Sequence, residues 1–345
     1  MKVARLYDFL DVRIEEQPVP TIGPGEALVR ARACGICSGD VVPWYIRKKA
    51  PLVFGHEPVG EIAEVGAGVS GFRPGDRVFV HHHAPCFRCR ACARGEFVQC
   101  PTWKQSHLDP GGMAEFFRVP AGNLAGDTLH LPDHVSDADG ALVEPLACVV
   151  KSLARAGDVA GATVLIIGLG VMGQLHVLLA RHLGATRILA ADLVAGRCAM
   201  AVQLGADLAI DASAAPLADQ VRDATDGEGA EIVIVGPATV AALEVGIACA
   251  ARGGTVVQFM GTEPGETLAL PTFDFYFREL RLVPSYSCGP VETRQALDLI
   301  TQGVIAARHV VTHRFPLDEA AEAYRVAALD KAAIKALVMF GGARG

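Results

Sequence analysis

Four cysteines fall within fifteen residues as Cys86-x2-Cys89-x2-Cys92-x7-Cys100, in a chain whose other six cysteines are scattered or stand as the pair Cys34 and Cys37. That spacing predicts a tetrahedral zinc site. Four thiolates at about 2.3 Å close the coordination sphere, so such a site is structural and leaves the chemistry to other residues. The alternatives are two local disulfides, a framework expected of small secreted chains rather than of one of 345 residues, or a redox pair. Three further segments carry metal-ligand chemistry: Cys34-Gly35-Ile36-Cys37-Ser38-Gly39-Asp40, Gly55-His56-Glu57 and Val143-Glu144-Pro145-Leu146. Singly each is weak, since a lone His is more often a satisfied polar residue and a lone Cys a small hydrophobe. Together they would supply a zinc ion with an open position, a Lewis acid able to lower the pKa of a hydroxyl by several units.

A third motif is Gly168-Leu169-Gly170-Val171-Met172-Gly173, which follows the apolar run Thr163 to Ile167 and opens a helical stretch. In that context it reads as a dinucleotide-binding turn. Gly168 permits the tight turn, Gly170 the approach of the pyrophosphate, and Gly173 the close packing of helix on strand. The helix N-terminus then faces the phosphates. Asp192 ends the next predicted strand, where its carboxylate can accept both ribose hydroxyls and repel a 2′-phosphate. That favours NAD over NADP; the competing roles are a helix N-cap for Asp192 and a charge-softening one for Arg197.

The elements that must position these residues divide in two. Up to about Val149, short β-type runs are punctuated by Gly and Pro: Ala27 to Ala33, Val59 to Val65, Arg77 to His81 and Ala114 to Val119. They predict a compact, mostly antiparallel domain with long loops. Beyond it, the strands Thr163 to Ile167, Arg187 to Ala191, Ile232 to Val235 and Thr255 to Phe259 alternate with helices near Val171 to Leu183, Gly196 to Leu204 and Thr239 to Ala251. That alternation predicts a doubly wound parallel sheet. The rhythm loosens again near Ser285, with helices near Glu292 to Thr301 and Asp318 to Ala328 and a last strand, Ala336 to Phe340. The expected division is residues 1–148 with 287–345 for the catalytic domain, including the cysteine lobe 86–100, and 149–286 for the dinucleotide domain.

A net charge of −7 argues against nucleic acid or an anionic membrane as partner and leaves a small molecule or another copy. The charged opening Met1 to Asp8 lacks the apolar core of a signal peptide. The apolar stretch Ala162 to Ala180 is broken by Gln174 and His176. Both predict a cytoplasmic protein.

In this order, the metal segments and the glycine turn resemble the zinc-containing medium-chain dehydrogenase/reductase family, over essentially the whole chain. The Glu-Pro-Leu segment makes the likeness nearest to its sorbitol and threonine dehydrogenase branch. The resemblance implies an α/β protein: a GroES-like, mostly antiparallel β catalytic domain plus a Rossmann dinucleotide domain. It implies two zinc ions and one NAD per chain. Cys37 and His56 would be permanent ligands of the catalytic zinc, and Glu57 and Glu144 carboxylates that bind directly or through water, with Cys148 the competing ligand. Cys86, Cys89, Cys92 and Cys100 would hold the structural zinc, and Cys34 would pack. Val235, Met260 and Gly261 would lie beside the nicotinamide, and the chain would assemble as a homodimer or homotetramer.

The chain departs from the family in having Gly39 where a proton-passing Ser or Thr usually stands two residues after the cysteine ligand. Ser38, or water held by Glu57 or Glu144, could take that part. Val235-Gly236-Pro237 is a further loop variation. Trp44, Tyr45 and Trp103 could wall the substrate pocket or simply pack. The run His81-His82-His83 puts its first and third residues on one strand face and its second on the other, so it makes no three-histidine site by itself. Ser285 to Ser287 and the helix Pro290 to Gly303 would return toward the cleft. The expected activity is oxidation of a secondary alcohol of a polyol, sugar derivative or hydroxy amino acid by NAD. The alternatives are a simple secondary-alcohol or aldehyde dehydrogenase, and a non-catalytic dinucleotide-binding scaffold.

Overall fold

The computed structural model describes residues 1–343. It contains two compact units, Met1–Ala147 together with the chain from Cys288 onward, and Cys148–Ser287. The helix Val143–Ala156 carries the chain from the first to the second.

In the second unit all six strands are parallel, in the order Leu208–Asp211, Arg187–Asp192, Thr163–Ile167, Ala230–Val235, Ala250–Gln258, Arg281–Pro284. The two central strands, Thr163–Ile167 and Ala230–Val235, are runs of β-branched and aliphatic residues because both of their faces are buried. The outer strands Leu208–Asp211 and Arg281–Pro284 carry polar ends and stay half exposed, and for that reason neither stands out in the sequence. The strand order reverses beside Thr163–Ile167, so the carboxyl ends of the central strands form the crevice where doubly wound sheets bind ligands. Its core joins Leu165, Leu189, Val233, Val256, Leu243 and Ile247.

The first unit is built on a larger sheet in the order Val311–Pro316, Lys335–Met339, Ala27–Gly35, Glu57–Val65, Arg77–Val80, Thr128–His130, with Phe116–Val119 also pairing to Ala27–Gly35. Only the pair Val311–Pro316 and Lys335–Met339 is parallel. The register sets Gly35 opposite Glu57 on one side and Leu337 on the other. Three distant stretches thereby reach one end of the sheet: the turn after Gly35, the start of Glu57–Val65, and the start of the last strand at Lys335. A small second sheet, Asp11–Glu16, Lys2–Asp8, Leu52–Val53, closes over Tyr324 and Phe54 in the core. No helix among the described residues is long and apolar enough to cross a membrane.

Candidate active site

Cys37 caps a short 3₁₀ turn, Ser38–Val41, in which Gly39 N–H donates to its sulfur at 3.3 Å and Asp40 accepts its backbone N–H at 3.2 Å. The other oxygen of Asp40 lies 3.3 Å from His56 Nδ1. Asp40 therefore orients the imidazole and the cysteine turn together, leaving the far ring nitrogen toward Cys37. Burial opposes charge on His56, but the Asp40 carboxylate and the Cys37 thiolate more than offset it and hold the ring well above its ordinary range. Burial pushes the Cys37 thiol up, against the pull of His56. One donor atom each from Cys37, His56 and Glu57 falls within 4.8 Å of the others.

Glu57 is wholly buried and paired through Oε2 with Lys335, which is 2% exposed and also donates to Ile36 O at 3.0 Å. Gly35 makes room for this pair, since a Cβ there would stand 1.7 Å from Glu57 Oε2. Burial and the nearby Glu144 carboxylate raise the pKa of Glu57 while Lys335 draws it down. The other oxygen, Oε1, is buried without a hydrogen-bond partner among the described residues. An orphaned carboxylate oxygen beside a thiolate and an oriented imidazole suits a divalent, borderline-soft cation such as zinc.

Glu144, 4% exposed, stands outside this group and converges instead with His81 and His82. The histidine run divides three ways. His81 is buried against Asp127, His83 meets Ser106 O at 2.5 Å and tilts over Trp103, and His82 lies 4.9 Å from the His56 ring, centroid to centroid. Ser38 begins the 3₁₀ turn, and Gly39 offers no hydroxyl there. Asp40, His82 and Lys335 are the residues that sequence reasoning missed. Asp40 stood inside a quoted motif three residues after Cys37, whereas nothing local marks Lys335.

The four lobe cysteines bring their sulfurs within 4.8 Å of one another, with Cys89 and Cys92 3.5 Å apart. All ten cysteines of the chain are free thiols. Burial works against the Cys100 thiolate, but N–H groups of Cys86 and Trp103 outweigh it and draw the thiol down to about 6. Cys86 is drawn down as well, through N–H groups of Arg88 and Cys89, whereas burial pushes the Cys92 thiol up to about 12, so the lobe favours the ligating thiolate at two of its members and not at Cys92. Trp103 is 1% exposed and packs with Cys92, Val98 and Cys100, so it is a core residue of the lobe and no pocket wall. Trp44 and Tyr45 are half-buried on the helix Pro43–Arg47, edge to face with each other.

In the second unit Gly168 has φ +88°, in the left-handed region that favours glycine. A Cβ on Gly173 would stand 2.1 Å from Gly168 O, whereas one on Gly170 would meet nothing within 4 Å. The turn thus needs glycine at its ends for its own packing, and its middle is an open cradle at the N-terminus of Val171–His182. Val171 is buried and Met172 half-buried on that first helical turn. Asp192 accepts Leu169 N–H at 2.6 Å through one oxygen and Val194 N–H at 2.9 Å through the other. It ties the cradle to the next strand. It is not a helix cap, because the helix Ala195–Gln203 is capped at Val194. Arg197 is half-buried on that helix and its carbonyl accepts from Gln174. Val235 ends its strand buried, and Met260 and Gly261 follow the strand Ala250–Gln258, all at the end of the sheet that carries the glycine turn.

Residues 23–133 match the alcohol dehydrogenase GroES-like domain and residues 171–302 the zinc-binding dehydrogenase domain. The chain is 32% identical over 336 residues to sorbitol dehydrogenase of Gallus gallus, covering 91% of this chain and 89% of that one. Among solved structures, a Sinorhizobium meliloti 1021 protein assigned as a zinc-binding dehydrogenase and bound to NADP superposes with a TM-score of 0.87 at 30% identity, over 98% of both chains. Galactitol-1-phosphate dehydrogenase of Escherichia coli superposes with a TM-score of 0.87 at 25% identity, over 98% of this chain and 100% of that one. The GroES-like and Rossmann architecture, the converging metal donors and these likenesses agree: the chain belongs to the zinc-containing medium-chain dehydrogenase/reductase family, near its sorbitol dehydrogenase branch, and is an oxidoreductase.

Proposed function

We propose that this protein oxidises a secondary alcohol of a polyol, sugar derivative or hydroxy amino acid to the ketone, with NAD as hydride acceptor. The reading rests above all on the convergence of Cys37, His56 and Glu57 within 4.8 Å. Cys37 and His56 would hold the catalytic zinc, with Glu57, one of whose oxygens is unpartnered, and Glu144 as the carboxylates that bind it directly or through water, and a second zinc would fill the four-cysteine lobe. When bound, zinc supplies Lewis acidity that eases loss of the hydroxyl proton, and NAD supplies the hydride acceptor. The chain's own part is to keep the His56 ring turned by Asp40, to balance Glu57 with Lys335, and to lead the proton out. With glycine at 39, the outward path runs from Ser38 or from water held by the two carboxylates. Carboxylates around the metal suit a substrate with several hydroxyls better than an aliphatic alcohol. The working form is a cytoplasmic homodimer or homotetramer.

The experiment is a panel of polyols, aminosugars, threonine and aliphatic alcohols, with reduced nicotinamide followed by absorbance. Polyhydroxy substrates are expected to give the highest kcat/KM, and turnover confined to aliphatic alcohols would overturn the substrate class.

The dinucleotide site takes Gly168, Gly170, Val171, Met172 and Gly173 for the pyrophosphate, Asp192 with Arg197 at the ribose, and Val235, Met260 and Gly261 at the nicotinamide. NAD is expected to be used better than NADP. Asp192→Ala should lower kcat/KM for NAD by about 10- to 100-fold, from the roughly 1.5 to 3 kcal/mol of hydrogen bonds to a charged group. If the unaltered protein prefers NADP by a wide margin, as the cofactor in the Sinorhizobium structure allows, the part given to Asp192 is wrong.

A further inference from the structure

One short helix, Ala121–Asp127, fixes His81 at three points. The His81 N–H donates to Asp127 O at 3.1 Å, the His81 carbonyl accepts from Asn123 Nδ2 at 3.2 Å, and the ring Nδ1 lies 2.7 Å from Asp127 Oδ2. Backbone and ring are therefore set together. Behind them stands Thr293, near the start of the helix Pro290–Thr301, whose Oγ donates to the other oxygen of Asp127 at 2.6 Å. His81, Asp127 and Thr293 are all wholly buried. A carboxylate anchored at one oxygen and accepting at the other fixes the plane of the imidazole and keeps its proton on Nδ1, as the partners of functional histidines do.

This frame aims Nε2 toward Glu144. Nε2 lies 3.8 Å from Cys288 Sγ, and the same sulfur is 3.9 Å from Glu144 O and 4.0 Å from Glu144 Oε1. A carboxylate oxygen of Glu144 also falls within 4.8 Å of ring nitrogens of both His81 and His82. His82 is held in turn, since its carbonyl accepts from the same Asn123 Nδ2 at 3.1 Å, and its ring stands 4.9 Å from that of His56, centroid to centroid. Contacts to sulfur are weak singly. Glu144 is only 4% exposed, however, so its orientation is set by these buried neighbours rather than by solvent.

On the reading that places Glu144 in the catalytic group, we infer that Thr293, Asp127 and His81 are positioning residues which, with Cys288, hold the Glu144 carboxylate in its working orientation beside Cys37, His56 and Glu57. None of the three touches the reacting atoms. Their effect passes through one side chain, and a catalytic group displaced by about 1 Å loses as much as 100-fold in rate. Thr293 lies 166 residues from Asp127, so the carboxyl-terminal part of the chain helps to set a group that the sequence places at Glu144.

The test is a double-mutant cycle between Thr293 and Glu144 in the full-length, zinc-loaded protein, using the best alcohol of the panel above. Thr293→Val keeps the shape and removes the hydroxyl; it is expected to lower kcat about 10-fold while KM for NAD is unchanged. Thr293→Ser should restore the rate. Glu144→Gln should cost more than Thr293→Val, and adding Thr293→Val to it should cost nothing further. Asp127→Asn should lower kcat by about 10- to 100-fold, and the Thr293 pair carries the test if that buried change does not fold. Zinc content after timed exposure to a chelator gives a readout apart from turnover: Thr293→Val should give up one ion several-fold faster than the parent or Thr293→Ser. Equal losses from Thr293→Val with and without Glu144→Gln, or the same loss in Thr293→Ser as in Thr293→Val, would overturn the inference. A failure of the catalytic reading looks different, because Cys37→Ser and Glu144→Gln would then both leave kcat unaltered.

Discussion

His56→Ala is expected to lower kcat/KM for alcohol oxidation by about 1000-fold or more, because Lewis-acid stabilisation amounts to roughly 4 kcal/mol and each 1.36 kcal/mol is tenfold in rate. Two features of the site make the loss this large. His56 is the imidazole donor of its group, beside the sulfur of Cys37 and the carboxylate of Glu57, and Asp40 orients its ring from 3.3 Å away. Cys37→Ser should behave alike. In both variants NAD affinity should stay within a few-fold of the parent, since every residue assigned to the dinucleotide belongs to the unit Cys148–Ser287. Asp40→Ala should cost less, about 10- to 100-fold, the usual range for the partner that orients a histidine ligand. Steady-state kinetics, fluorescence titration with NADH and zinc content decide the matter together. Activity retained in His56→Ala would remove the catalytic metal from the account.

The parts of this molecule that were legible in the sequence are those whose chemistry is local. The lobe cysteines lie within a few residues of one another, and their spacing already limits how they can meet. The glycine turn is contiguous with the strand Thr163–Ile167 and the helix Val171–His182, and the element boundaries there agree to within a residue. Where packing alone makes an element, the sequence is quieter. Leu208–Asp211 and Arg281–Pro284 sit on sheet edges with mixed burial, so they lack the continuous apolar run of a central strand. The strands Lys2–Asp8 and Asp11–Glu16 carry charges on their outer faces for the same reason. His82 and Lys335 were hidden by a different cause. Each matters through a neighbour that only sheet register supplies, and Lys335 is 278 residues from the carboxylate it pairs with. Gly35 is the trace that the pair leaves in the sequence, but one glycine among 37 has no voice until the register is known.

Lys335→Met is expected to destabilise the first unit by about 3 to 5 kcal/mol, the cost of leaving a buried charge without its partner. Methionine fills most of the volume of the lysine stem, so a cavity contributes little to that figure. What is lost is the ammonium between Glu57 and Ile36 O, in a place where both side chains are at most 1% exposed. Burial works against charge on Lys335, yet the Glu57 carboxylate more than offsets it and holds the lysine above its ordinary range, so the ammonium persists at neutral pH. No neighbouring group can step in on the Gly35 side, because that residue has no side chain to offer. Adding Glu57→Gln should return much of the loss, since a neutral amide can be buried more cheaply than an unpaired carboxylate. The comparison separates charge from packing: a packing defect would persist in Lys335→Met/Glu57→Gln, whereas a charge defect would be relieved. Denaturant unfolding of the zinc-loaded protein, followed by a probe in the first unit, gives the difference. If the single variant unfolds within about 1 kcal/mol of the parent, as exposed pairs do, Lys335 is not what balances the Glu57 carboxylate in the zinc-loaded protein.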